Sequence, residues 1–79
     1  MKNVTIYTTP TCSFCHMTKG FFKQNNVEYT EVDLTQNQDA IKEVVEATGQ
    51  MGVPVTKVED QYVVGFDKDT LSRLLDIKA

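Results

Sequence analysis

Between Val4 and Leu34 the apolar period changes from two to helical spacing and back again, which restricts the fold more than any other feature. Val4-Thr5-Ile6-Tyr7-Thr8 alternates and is β-branched or aromatic throughout, and so reads as a strand. Thr9-Pro10-Thr11 interrupts it. From Ser13 to about Gln24 the apolar Phe14, Met17 and Phe21 recur at helical spacing, with Lys19 and Lys23 on another side. Gly20 inside that helix reads as a point of close packing. Asn25-Asn26 closes the helix, and residues 27–34 read as a second strand. A strand, a helix and a strand in this order imply a right-handed parallel crossover.

Thr35 followed by Gln38 fits a capping box that opens a second helix. Ala40, Ile41, Val44, Val45 and Ala47 give it an apolar stripe, and Gly49 ends it. Gln50-Met51-Gly52-Val53-Pro54 is a loop. Two short strands, Val55–Val58 and Gln61–Val64, follow as a hairpin turned at Glu59-Asp60. After the break at Gly65-Phe66, Asp67 or Asp69 caps a last helix carrying Leu71, Leu74, Leu75 and Ile77. The expected architecture is α/β in the order β-α-β-α-β-β-α: a four-stranded mixed sheet flanked by three helices. A chain of 79 residues leaves room for one domain spanning 1–79. Its radius of gyration should be roughly 12 Å.

The chain is 41% apolar and 24% charged, which is ordinary for a folded protein. A net charge of −3 argues against nucleic acid or anionic lipid as the main partner. No run approaches the ~20 apolar residues of a membrane span. Residues 1–7 hold one lysine and no long apolar run, so no secretory leader is expected and a cytoplasmic location is. Thiols stay reduced there unless they are working. Two cysteines exclude a disulfide-stapled scaffold and call for another explanation.

That explanation lies in Thr9-Pro10-Thr11-Cys12-Ser13-Phe14-Cys15-His16, where the first strand hands over to the first helix. Unpaired N–H groups and the helix dipole favour negative charge at such a junction and lower the pKa of a sulfur placed there. Cys12 falls at the cap or first turn, and Cys15 one turn deeper is within reach of a disulfide. Cys12 is then the exposed thiolate that attacks a substrate disulfide, and Cys15 resolves the mixed disulfide. A structural zinc site takes four ligands, whereas only Cys12, Cys15 and His16 are offered here, so no metal site is expected. Core filling accounts for one cysteine but not for two at a strand-to-helix turn. His16 reads as exposed helical filler, Lys19 and Lys23 as a solvated face, and Tyr7 and Thr8 as groove or core.

Ile6-Tyr7-Thr8 leading into Cys12-x-x-Cys15, then Gly52-Val53-Pro54-Val55, then Gly65-Phe66 ahead of Asp67-Lys68-Asp69 resemble a glutaredoxin, the smallest version of the thioredoxin fold. The likeness covers nearly the whole chain. It implies a dithiol–disulfide oxidoreductase with no bound cofactor. It also implies that the Val53-Pro54 bond is cis and faces the cysteine pair, freeing the Val53 carbonyl and N–H to pair with an extended substrate. Thr9, Thr11, Ser13, Phe14, Gly52, Val53, Pro54, Gly65, Phe66 and Asp67 are the implied substrate- or glutathione-binding residues.

The resemblance leaves two electron donors, glutathione and thioredoxin reductase. Glutathione-using members usually carry a lysine where Thr9 stands and a threonine where Gly52 stands. Their Gly-Gly-x-Asp-Asp stretch is echoed by Val64-Gly65-Phe66-Asp67-Lys68. NrdH-type redoxins, which draw on thioredoxin reductase, carry Trp-Ser-Gly-Phe-x-x-Asp. Here Gly65, Phe66 and Asp69 keep that pattern while Val63 replaces the tryptophan. Ser13-Phe14 matches neither the Pro-Tyr of glutaredoxins nor the Val-Gln or Met-Gln of the NrdH type. The implied partners are disulfide-containing client proteins, ribonucleotide reductase among them, served by a monomer. Alternatives are an iron–sulfur or metal-binding dimer and a slow thiol sensor.

Overall fold

The chain runs through β1 (Val4–Thr8), α1 (Ser13–Gln24), β2 (Thr30–Asp33), α2 (Gln38–Thr48), β3 (Val55–Val58), β4 (Gln61–Val64) and α3 (Lys68–Leu75). The structure is a computed structural model that describes residues 3–49 and 52–75. Ile77 and the Gln50-Met51 part of the expected loop lie outside those residues. The strands form one sheet in the order β2-β1-β3-β4. β1 runs parallel to β2, with Thr5 opposite Thr30, and antiparallel to β3, with Tyr7 opposite Val55. β3 and β4 close the sheet as the expected hairpin. The radius of gyration is 11.6 Å, close to the length-based expectation.

Strand alternation sorts the apolar residues onto two faces. One face packs Val4, Ile6, Val58 and Val63 against Phe22 of α1 and Leu71 of α3. The other packs Tyr7, Val55 and Leu34 against Ala40 and Val44 of α2. Full burial of a side chain such as Phe22 or Leu71 stabilises by about 1.5–3 kcal/mol.

Several local expectations are corrected. Phe14 and Met17 are 58% and 51% exposed, and the face of α1 that meets the sheet carries Cys15, Thr18 and Phe22 instead. Thr18 can be buried because its hydroxyl donates to the Phe14 carbonyl at 2.9 Å. A Cβ on Gly20 would meet nothing within 4 Å, so no close packing selects glycine there. On α2, Val45 and Ala47 face solvent, which leaves Ala40 and Val44 as the buried pair.

The second strand is shorter than residues 27–34 because the Val27 N–H is drawn back to the Phe22 carbonyl at 2.8 Å and Asn26 turns left-handed. Val27 and Tyr29 pack on the core from this connection rather than from a strand. Thr35 does not cap α2. Its N–H and hydroxyl both bind the Asp33 carboxylate, and Asn37 is the cap, accepting from the Ala40 N–H at 3.1 Å. Gly49 ends α2 in the left-handed conformation, and Asp67 rather than Asp69 caps α3 by accepting the Thr70 N–H and hydroxyl.

Candidate active site

The end of β1 delivers the chain into a tight turn in which the Cys12 N–H donates to the Thr9 carbonyl at 3.3 Å. Pro10 suits the second position of such a turn, where its fixed φ is already correct. Cys12 is the N-cap of α1, with extended backbone and a sulfur that accepts the Cys15 N–H at 3.0 Å. No acidic residue occupies the first turn of α1, so nothing there opposes the positive end of the helix dipole. Cys12 and Cys15 form a disulfide with their Cα atoms 5.2 Å apart. Cys12 is half-buried and Cys15 only 1% exposed. The outer sulfur position is thus reachable, while the inner one sits against the sheet.

β3 brings the second part of the site. Val55 pairs with Tyr7, so Val53 and Pro54 arrive beside Thr8 and Thr9, the residues that lead into Cys12. The Val53–Pro54 bond is cis, as the resemblance implies. The Pro54 carbonyl accepts the Gly65 N–H at 2.8 Å, which ties the loop to the end of β4. Among the described residues nothing hydrogen-bonds to the Val53 backbone. Thr9, Gly52 and Val53 share a cleft of about 190 Å³ with Leu34, Thr35 and Ile41. Among the described residues no charged side chain lines it.

Thr11, Ser13 and Phe14 are exposed around the cysteine pair. Phe66 and Asp67 are occupied elsewhere. Phe66 is half-buried with its ring edge-on to Phe21 at 6.0 Å, and Asp67 is committed to capping α3. Thr70 holds the Asp67 carboxyl below the usual carboxylate range by donating to it. His16 is exposed. Among the described residues no three of His, Cys, Asp and Glu converge as a metal site would require.

Sequence reasoning missed Leu34, Thr35 and Ile41 as walls of the cleft. It also missed two polar clusters beside the site. In one, Glu31 accepts from the Thr8 hydroxyl at 2.9 Å and from Lys19 at 3.0 Å, and Lys19 followed by Thr8 lowers its pKa. Lys19 is therefore paired rather than merely solvated. In the other, one oxygen of Glu43 accepts from Tyr62 at 2.6 Å and Tyr7 at 2.8 Å, with Lys57 at 3.5 Å. Burial and then Glu43 push the Tyr7 phenol well above its usual range. These partners are separated by up to 36 residues, and no local pattern announces them.

The glutaredoxin family model matches residues 4–63. A glutaredoxin-like 8.6 kDa protein in the rubredoxin operon of Clostridium pasteurianum is 32% identical over 73 residues, covering 92% of this chain and 97% of its own. Glutaredoxin 3 of Escherichia coli is 31% identical over 67 residues, covering 85% of this chain and 81% of that protein. Among solved structures, the glutaredoxin-like NrdH-redoxin of Escherichia coli has a TM-score of 0.80 at 29% identity, covering 91% of this chain and 93% of that one. That structure is presented as the basis of a thioredoxin-like activity profile. With a two-residue-spaced cysteine pair at the head of α1, the chain belongs to the glutaredoxin family and is a thiol–disulfide oxidoreductase.

Proposed function

We propose that this protein reduces disulfides in client proteins, with Cys12 as nucleophile and Cys15 as resolving thiol. The observation that carries the reading is the unequal setting of the two sulfurs: Cys12 caps α1 within reach of solvent, and Cys15 is buried one turn on. The Cys12 thiolate bonds to one client sulfur, the client S–S bond breaks, and the departing sulfur takes a proton. Cys15, as thiolate, then bonds to the Cys12 sulfur and releases the second client thiol. The product is the Cys12–Cys15 disulfide seen here.

An extended client segment pairs with the free Val53 backbone beside Pro54, in the manner of strand addition. Gly52 and Thr9 line the cleft beside that track, with Gly65 fixing its far side through Pro54. The cleft favours a protein segment over glutathione, whose two carboxylates and ammonium find no charged partner among the described residues of its walls. Thioredoxin reductase is accordingly the favoured donor, and the likeness to a redoxin with a thioredoxin-like activity profile supports it. Ribonucleotide reductase and other enzymes that form a disulfide during turnover are suitable clients. As part of the same proposal, the protein works as a monomer in the cytoplasm, where donor and client thiols are kept reduced.

The deciding experiment follows NADPH oxidation with the oxidised protein and either thioredoxin reductase or glutathione plus glutathione reductase. Rapid turnover in the first system and little in the second is expected. The reverse result would assign glutathione as donor, and failure in both would remove the reductase reading.

A further inference from the structure

The cleft beside the cysteine pair has aliphatic walls. Leu34, the most buried of its lining residues, is held in place by its N–H donating to the Thr8 carbonyl at 2.9 Å. Ile41 of α2 and Val53 of the loop before β3 also line it, and both pack on the core that contains Leu34. The Thr35 hydroxyl is already donated to the Asp33 carboxylate. A charged group entering this cleft would lose water and find little to replace it, whereas an aliphatic group gains by leaving water. Gly52 completes the walls. A Cβ there would meet nothing within 4 Å, so no neighbour fills the space left by its missing side chain.

Size and position restrict what can enter. At about 190 Å³ the cleft is smaller than the ~300–1,000 Å³ pockets that enclose a whole small ligand, and it suits one side chain. It is also continuous with the reactive pair. Thr9 lines it and accepts the Cys12 N–H through its carbonyl at 3.3 Å, in a turn whose ends lie less than ~7 Å apart. An extended chain covers roughly 3.3–3.6 Å per residue, so a client cysteine bonded to Cys12 has neighbours one or two positions away within reach of the cleft. Val53 both lines the cleft and carries the backbone that offers the client its track.

We infer that the cleft selects clients carrying an aliphatic side chain within two residues of the attacked cysteine, and that Gly52 is the specificity-determining residue that keeps it open. The inference rests on the roles given above to Cys12 and to the Val53 backbone. The chemistry of exchange is the same for every client; what differs is how long the client sulfur is held beside Cys12. An aliphatic neighbour seated between Leu34, Ile41 and Val53 anchors the segment. An acidic neighbour is turned away because its carboxylate would have to shed water there.

The test uses the dithiol protein and homodisulfides of short peptides. In the reference peptide every residue within two positions of the cysteine is alanine; in the others one of them is leucine or glutamate. Acid quenching, alkylation and intact mass follow oxidation of the protein. Each event turns one peptide disulfide into two peptide thiols while the dithiol becomes the Cys12–Cys15 disulfide, so electrons and protons balance. Leucine at one of these positions should accelerate oxidation about tenfold over alanine, and glutamate at the same position should not. Gly52→Val, which fills the cleft, should bring the leucine and alanine peptides to equal rates. Ile41→Lys should reverse the order of leucine and glutamate, and either substitution suffices if the other does not fold. Equal rates for all peptides with the wild type would overturn the inference and leave the reductase reading standing. A leucine preference that survives the substitutions would also overturn it, and would move the apolar contact to the exposed Phe14 and Met17. Oxidation by none of the peptides would sink the reductase reading itself.

Discussion

At the scale of single residues, two sulfurs three positions apart experience different physics, and substitution should separate them. Cys12→Ser should abolish disulfide reduction, because no other thiol can begin the exchange. Cys15→Ser should still attack but stall, and intact-mass measurement after mixing with a client should find the covalent adduct on Cys12. Glu43 offers a second residue-scale test. Tyr62 and Tyr7 donate to its carboxylate and hold its pKa below the usual range. A carboxyl lowered on folding contributes stability above its unfolded value of about 4.3, and that contribution is lost as pH falls through the folded value. Tyr7 has the opposite sign. Its phenol is raised on folding, so its contribution is present below about pH 10 and lost as pH rises beyond it. Urea midpoints measured across pH should show a flatter acid limb for Glu43→Gln and a flatter alkaline limb for Tyr7→Phe.

Among the elements, α1 decides most about the site. Gly20 lies in its interior, where a methyl group would meet no neighbour. Gly20→Ala should therefore raise stability by about 0.5–1 kcal/mol, read as a higher urea midpoint at constant slope. The seven elements and their order were legible in the sequence because turn residues punctuate each change of period, and both hairpin strands fall where alternation places them. The inward face of α1 was not legible. Phe21 does pack against the core, but Phe14 and Met17 share the spacing of Cys15 and Thr18, and apolarity alone selects the exposed pair. What selects the buried pair is the approach of the helix from β1 together with a threonine whose hydroxyl is satisfied within its own helix. Asn37 prevailed over Thr35 as the α2 cap for a similar reason: Asp33 had already engaged Thr35. The cysteine pair was legible because it is local, and the cis Val53–Pro54 bond because the family resemblance implies it. The cleft was not, since its walls come from the segments just after β1 and β2, from α2 and from the loop before β3, and meet only in three dimensions.

For the molecule as a whole, β1 supports both cores: Ile6 faces α1 and α3 while Tyr7 faces α2. A chain of 79 residues with one shared central strand should unfold as a unit. Leu71 is fully buried on α3, and Leu71→Ala should cost about 2–5 kcal/mol. In a Tyr29→Phe background, tyrosine fluorescence should report the resulting loss of Tyr7 and Tyr62 surroundings at the same urea concentration as far-UV circular dichroism reports loss of helix. Two separated midpoints would show that the faces melt independently. The outward turn of Phe14 and Met17 has a different consequence. Neither core relies on these side chains, although one of them sits between the two reactive sulfurs. An engineer could therefore rewrite the chemistry displayed beside the nucleophile, changing which molecules linger there, with the scaffold beneath left intact.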